Sequence, residues 1–260
     1  MAEQNKGMSD LWRRLRFVFM AIVIYRLGTH IPIPGIDPAR LAALFDQNQG
    51  TILEMFNLFS GGALERMSIF ALNVVPYISS AIIMQLFSNS IPYLQELKKD
   101  GQAGRNQITQ FTRYGTVLLA FVQASALAVT LGASGLAYEP GTSFFISAVF
   151  SVVAGTIFLM WLGEQISERG IGNGISIIIA TSILTGIPGA IGQALEQARQ
   201  GDLNILLLLG IGVLAMLVIA IVVFIERGQR RITVNYAQRQ QGRKLMQAQA
   251  SHLPFKVNMA

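Results

Sequence analysis

The side chains able to do acid–base or metal chemistry are few and scattered. The two histidines, His30 and His252, stand far apart in the chain. Neither has a second titratable group nearby, so neither is placed to act as a base or a ligand. There is no cysteine, which removes disulfides, thiolate metal sites and cysteine nucleophiles together. Gly170-Ile-Gly172-Asn-Gly174 has the glycine density of a phosphate-binding loop. Such a loop needs a preceding strand and a downstream acidic residue, whereas here a long apolar run precedes it and Ile175–Ala180 follows. The segment therefore reads as a tight turn with Asn173 or a glycine at positive φ. Glu164, Glu168 and Arg169 flank that turn as a solvated cap. No catalytic, cofactor or metal site is expected. Coupled transporters mark their paths with ionisable groups inside membrane spans. The apolar runs here offer Arg26, Gln123, Glu164 and little else, and Arg26 lies near the end of its run, where it can snorkel outward or pair with a neighbouring helix.

The elements that carry these residues are set by composition. Of 260 residues, 52% are hydrophobic and 13% charged, and the mean hydropathy is +0.48. Soluble domains carry roughly 25% charged residues, so this chain has about half the usual means of covering a wetted surface. Backbone inside lipid must satisfy its own hydrogen bonds, which leaves helices or a closed barrel. The apolar residues come in continuous runs without period-two alternation, which excludes the barrel. Six runs approach the length of a span: Phe17–Pro32, Ile69–Ile91, Phe111–Leu131, Phe144–Ile166, Ile175–Leu195 and Leu203–Ile225. The first, after Arg13, Arg14 and Arg16, imitates a secretory signal. No small-x-small cleavage site follows it, so a retained span is expected.

Positive charge sets the expected orientation. With the N-terminus in the cytoplasm, sixteen of the 20 cations fall on inside segments. Only Arg40, Arg66 and Arg199 fall outside, with Arg26 embedded. This topology also puts the two histidines on opposite sides of the membrane. Within the long outer segment Ile33–Met67, Glu54-Met-Phe-Asn-Leu-Phe-Ser-Gly-Gly-Ala-Leu64 is too apolar for a solvated loop and too short to cross. It reads equally as a re-entrant stretch or as an amphipathic helix on the outer surface. Asn73 and Pro76 interrupt the second run, with Val74, Val75 and Ile78 within about a turn of the proline. That pattern fits an apolar constriction or merely a kinked span. After Glu226 the chain is basic, polar and rich in Gln, and it ends without a structural stop signal.

These segments carry a resemblance. Ile31-Pro-Ile-Pro-Gly-Ile-Asp37, the Glu54–Leu64 stretch, Pro76-Tyr-Ile-Ser-Ser80 and Trp161-Leu-Gly-Glu-Gln-Ile-Ser-Glu-Arg-Gly-Ile-Gly-Asn-Gly-Ile-Ser176 resemble, in order, segments of the SecY family. So do Glu226-Arg-Gly-Gln-Arg-Arg-Ile232 and Asn235-Tyr-Ala-Gln-Arg-Gln-Gln-Gly-Arg243. That family supplies the channel subunit of the bacterial Sec protein translocase. The resemblance implies an all-α polytopic membrane protein: the first half of a ten-span channel in residues 1–195, then span 6 and a basic cytoplasmic loop in 196–260, cut off before span 7. It also implies residue roles. Met55, Phe56, Asn57, Leu58, Phe59, Ser60 and Gly61 would belong to a re-entrant plug helix. Val74, Ile78, Ile175 and Ile179 would line an apolar pore ring, with Val74 where an isoleucine is expected. Ile82, Leu86 and Gln123 would belong to a lateral gate, and Arg239, Arg243 and Lys244 to a docking surface for cytoplasmic partners. Implied partners are the SecE and SecG subunits, the motor ATPase SecA, the ribosome, signal sequences with nascent secretory polypeptides, and membrane lipids. The implied location is the bacterial inner membrane.

Two other functions compete with a protein-conducting channel. A secondary transporter of a small solute, hinged at the Gly-rich turns, needs an essential ionisable residue in a span. A scaffold subunit without a pore needs none.

Overall fold

The computed structural model describes residues 2–47, 57, 60–139, 141–201, 204–234, 240–241, 244–245 and 251–256. It divides into two compact units, Met1–Gly189 and Ala190–Ala260. The first contains α1 (Ala2–Gly28), α2 (Pro38–Gln47), α3 (Val75–Ser90), α4 (Pro92–Lys99), α5 (Gly101–Ala133), α6 (Thr142–Arg169) and most of α7 (Gly174–Gln200). The second contains the end of α7, then α8 (Ile205–Glu226) and the strands β1 (Gln229–Val234), β2 (Gln240–Gln241), β3 (Lys244–Leu245) and β4 (Ser251–Lys256).

Among the described residues, four helices are long and apolar enough to cross a membrane: α5, α6, α7 and the Leu206–Glu226 part of α8. They carry the last four runs read from the sequence. The first run lies in α1, which extends back to Ala2 as 27 residues of helix. At the exposed start of α1, hydrogen bonds from Arg14 and Arg13 hold the Asp10 carboxyl below the usual carboxylate range.

The second run is not one helix. Residues 69–74 turn before α3 begins, and α3 has only 16 residues, about 24 Å at 1.5 Å per residue. A hydrocarbon core is about 30 Å thick. Pro76 sits in the first turn of α3, where its missing N–H costs nothing; deeper in a helix its ring would strike the carbonyl four residues back. Met67 and Asn73 adopt φ of 41° and 49°. The interruption expected at Asn73 and Pro76 is thus a helix start after a turn, not a kink inside a span.

Small residues let the helices approach. Ala120, Ala124 and Ala128 recur every four positions on α5 and are buried in one apolar cluster with Val149 and Val152 of α6, as expected where helix association depends on close packing. Beyond α1 the chain is pinned by backbone bonds. Ile33 N–H donates to Met67 O at 2.8 Å, Asp37 N–H to Leu136 O at 2.9 Å, and Tyr138 N–H to Gly35 O at 3.0 Å. At the other end of the bundle, Arg113 of α5 meets Glu164 of α6 at 2.7 Å. Glu164 is therefore a cross-helix partner, not the solvated cap that the sequence suggested.

In the second unit, the Asn204 side chain accepts the Leu206 N–H at 3.0 Å and caps α8. The basic tail contains antiparallel ladders that the sequence reading did not assign: β1 with β4, and β2 with β3. The first pairs Gln229 with Lys256 through Val234 with Ser251, and the second pairs Gln240 with Leu245 and Gln241 with Lys244. The architecture is predominantly helical with these two short ladders added. The sequence signal of the first ladder is the polar–apolar alternation of Arg231-Ile-Thr-Val234, which a count of charges overlooks.

Candidate functional site

The α6–α7 turn positions the first half of the site. Gly172 takes φ of 72°, so a glycine rather than Asn173 makes the left-handed step. Asn173 instead caps α7, its Oδ1 accepting the N–H groups of Ile175 at 3.0 Å and Ser176 at 3.4 Å. Ser167 Oγ accepts the Gly174 N–H at 2.8 Å. These amides are already satisfied, so the turn does not offer the free donors of a phosphate loop. Gly163 and Gly174 pack backbone to backbone, and the Ile175 side chain lies over Gly163.

The four aliphatic residues expected at the ring share one apolar cluster with Tyr25, Phe70, Ile166 and Ile178. Val74 is fully buried, while Ile78, Ile175 and Ile179 are half-buried. Val74 ends the turn before α3, Ile78 follows on its first full turn, and Ile175 and Ile179 lie one helical turn apart at the start of α7. No ion-binding group lies among these four side chains. Such a surface can exclude ions by dewetting.

Beside this cluster ends the Glu54–Leu64 stretch. Met55, Phe56, Leu58 and Phe59 lie outside the described residues; Asn57, Ser60 and Gly61 lie within them. Asn57 and Glu65 bond each other twice, Nδ2 to Oε2 and the Glu65 N–H to Oδ1, both at 3.0 Å. Ser60 Oγ donates to Asn57 O at 2.8 Å and accepts the Leu64 N–H at 3.1 Å. Gly61 and Gly62 have φ of 67° and 79°, a region that L side chains avoid. The stem so formed is held from outside. Arg26 donates to Gly61 O at 3.0 Å, so it grips a backbone carbonyl rather than a carboxylate. The Tyr25 hydroxyl lies 3.3 Å from Ser60 O and 2.6 Å from Ser182 Oγ, and Asn73 Nδ2 donates to Ser182 Oγ at 3.1 Å.

The other expected site residues are less concentrated. Gln123 is half-buried and lines a cleft of about 390 Å³ with Ser60, Leu64, Asn73 and Val75. Ile82 and Leu86 do not line it; they are exposed on α3 at 53% and 61%. Arg239 and Arg243 lie outside the described residues, and Lys244 pairs through its backbone with Gln241. His30 Nδ1 lies 2.8 Å from Arg26 O, closing the end of α1. The reading of the sequence missed Tyr25 and Ser182. The available signal was the spacing Gly174, Ile178, Ser182, which puts a hydroxyl on the buried stripe of α7.

The family model described as SecY matches residues 68–260. The protein translocase subunit SecY of Pseudomonas aeruginosa is 62% identical over 259 residues, covering 100% of this chain and 59% of that protein. The chain thus spans less than two thirds of that relative's length. A solved structure described as "The structure of a protein conducting channel" shares the fold at TM-score 0.63 and 21% identity, covering 95% of this chain and 53% of that one. Another has TM-score 0.62 at 22% identity, over 95% and 52%. Its description says that the plug domain of that SecY protein stabilises the closed state of the translocation channel and maintains a membrane seal. The order of segments read from the sequence, the shared fold and a close relative aligned from end to end of this chain agree: it belongs to the SecY family.

Proposed function

We propose that this chain is the N-terminal part of the protein-conducting channel subunit of the bacterial Sec translocase. Residues 1–195 form the first half of the channel and 196–260 supply span 6 and a basic cytoplasmic loop, with the N-terminus in the cytoplasm of a multi-pass inner-membrane protein. The observation that carries this reading is the meeting of Val74, Ile78, Ile175 and Ile179 in one apolar cluster beside a stem bonded to α1. In the resting channel the aliphatic ring keeps water and ions out, and the segment around Met55–Gly61 blocks the outer side. Aliphatic side chains offer only dispersion contacts, so an extended polypeptide of any sequence can slide past them. Ile82, Leu86 and Gln123 form this half's side of a lateral gate through which membrane segments leave.

No site for a nucleotide is assigned to this subunit. The work comes from the motor ATPase SecA or from a translating ribosome, which dock on Arg239, Arg243 and Lys244. SecE and SecG complete the assembly, and signal sequences with their nascent polypeptides open it in contact with lipid.

The test is deletion of Phe56–Gly61 in the full-length subunit, with ion leak measured in proteoliposomes. Leak should rise; unchanged leak rejects the channel in favour of a scaffold. Orientation is checked in spheroplasts by an impermeant maleimide, since the chain has no cysteine of its own. Asp202→Cys, at a position outside the described residues, should label from outside and Gln241→Cys should not. The reverse pattern rejects the proposed topology.

A further inference from the structure

We propose that Tyr25, Asn73 and Ser182 form a reversible latch that holds the stem at Ser60–Gly61 in the closed state. The proposal rests on the reading of the Glu54–Leu64 stretch as a plug.

The three side chains come from three elements, namely α1, the turn before α3, and α7. All three are buried, at 2%, 4% and 0% exposure. Ser182 Oγ is the hub. Asn73 Nδ2 donates to it at 3.1 Å, the Tyr25 hydroxyl lies at 2.6 Å, and its own proton can go to Ile178 O at 2.9 Å. Tyr25 also reaches Ser60 O at 3.3 Å. Each hydroxyl has one proton, so two arrangements exist. In the holding arrangement Ser182 donates to Tyr25, and Tyr25 donates to Ser60 O. In the released arrangement Tyr25 donates to Ser182, and Ser182 donates to Ile178 O. Neither leaves a buried hydroxyl proton without an acceptor, a loss that would otherwise oppose release. The pair can therefore grip the stem or let it go by rotating two hydroxyls.

The backbone adds a shape constraint. A Cβ on Gly61 would lie 3.1 Å from Ser182 Cα and O, tighter than ordinary contact, and the φ of 67° is one that L side chains rarely adopt, so glycine at 61 favours the close seating of the stem against α7. The latch also connects to the apolar cluster, since Asn73 adjoins Val74 and Ser182 follows Ile178 and Ile179 on α7. Movement of α7 against the turn before α3 separates Asn73 from Ser182 and disturbs the grip on Ser60 together with the ring.

The experiment uses the full-length subunit in reconstituted translocase. Tyr25→Phe should raise resting ion leak about fivefold, the equilibrium effect of one net hydrogen bond, whereas Ser182→Ala leaves Tyr25 only Ser60 O to donate to and should not raise it. Because the grip runs through the Tyr25 hydroxyl, the double variant should leak as Tyr25→Phe alone does. In Tyr25→Phe, hydrogen exchange should quicken at amides 60–65 while α6 is unchanged. This second reading does not depend on leak, and a general loss of packing would not produce it. Thr156→Val removes another buried hydroxyl, one whose Oγ1 has no hydrogen-bond partner, and should change neither readout. If Phe56–Gly61 deletion leaks but Tyr25→Phe changes neither leak nor exchange at 60–65, the latch is wrong and the channel stands. A Ser182→Ala variant as leaky as Tyr25→Phe, or a double variant leakier than Tyr25→Phe, likewise overturns the latch. If the deletion itself does not leak, the channel reading has failed.

Discussion

Gly174 at the start of α7 rests on the backbone carbonyl of Gly163 in α6, with no room for a β-carbon between them. This contact sets how close the two helices approach, and Ile175 packs over Gly163 as a result. Gly174→Ala should therefore destabilise the protein by about 1–3 kcal/mol, the usual cost of overpacking, although alanine favours a helix by roughly 0.5–1 kcal/mol. Thermal melting in detergent checks this. A variant as stable as the parent would mean that α6 and α7 do not meet there.

The Arg113–Glu164 pair joins α5 to α6, but its side chains are 44% and 22% exposed. Solvent screening limits such a pair to below about 1 kcal/mol. Glu164→Gln should lower the melting temperature only slightly. The exchange Arg113→Glu with Glu164→Arg should recover most of what either single reversal loses, which a double-mutant cycle measures.

The register of the tail predicts a crosslink. Arg230 lies opposite Phe255, and directly opposed residues have Cβ atoms about 4.5–5.5 Å apart, close to disulfide geometry. Arg230→Cys with Phe255→Cys should oxidise readily. Gln229→Cys with Phe255→Cys should not, because a one-residue shift moves the partner to the opposite face. Mass spectrometry after mild oxidation distinguishes the two, and equal yields would refute the ladder.

Between β2 and β3 the chain has two residues, one of them Arg243. Under the proposed docking role, Arg243→Glu should weaken SecA and ribosome binding roughly tenfold, about 1.4 kcal/mol, without altering insertion or orientation. Arg243→Lys should be partly defective, since lysine lacks the bidentate fork, and Arg231→Lys nearly silent. Unchanged affinities at low and physiological salt would leave anchoring to anionic lipid as the role of these cations.

Much of this was legible before any coordinates. The helical membrane class, the runs that became α5 to α8, and the tight turn at Gly170–Gly174 follow from hydropathy and glycine placement. These are properties of short windows, and the bilayer acts on each window almost independently. The roles proposed for the ring residues come from the resemblance, because nothing local distinguishes Ile175 or Ile179 from any other isoleucine in a span. The second run shows where windows mislead. Its 23 residues, Ile69–Ile91, are apolar enough to span, yet Asn73 and Pro76 delay the helix to Val75. Other features depended on tertiary structure altogether. Tyr25 meets Ser182 across 157 positions and Asn73 meets it across 109, while Arg26 finds a carbonyl at Gly61. Each is an ordinary polar residue in its own window. Only when α1, the turn before α3, and α7 pack around the same apolar cluster do these groups lose water and have to satisfy one another.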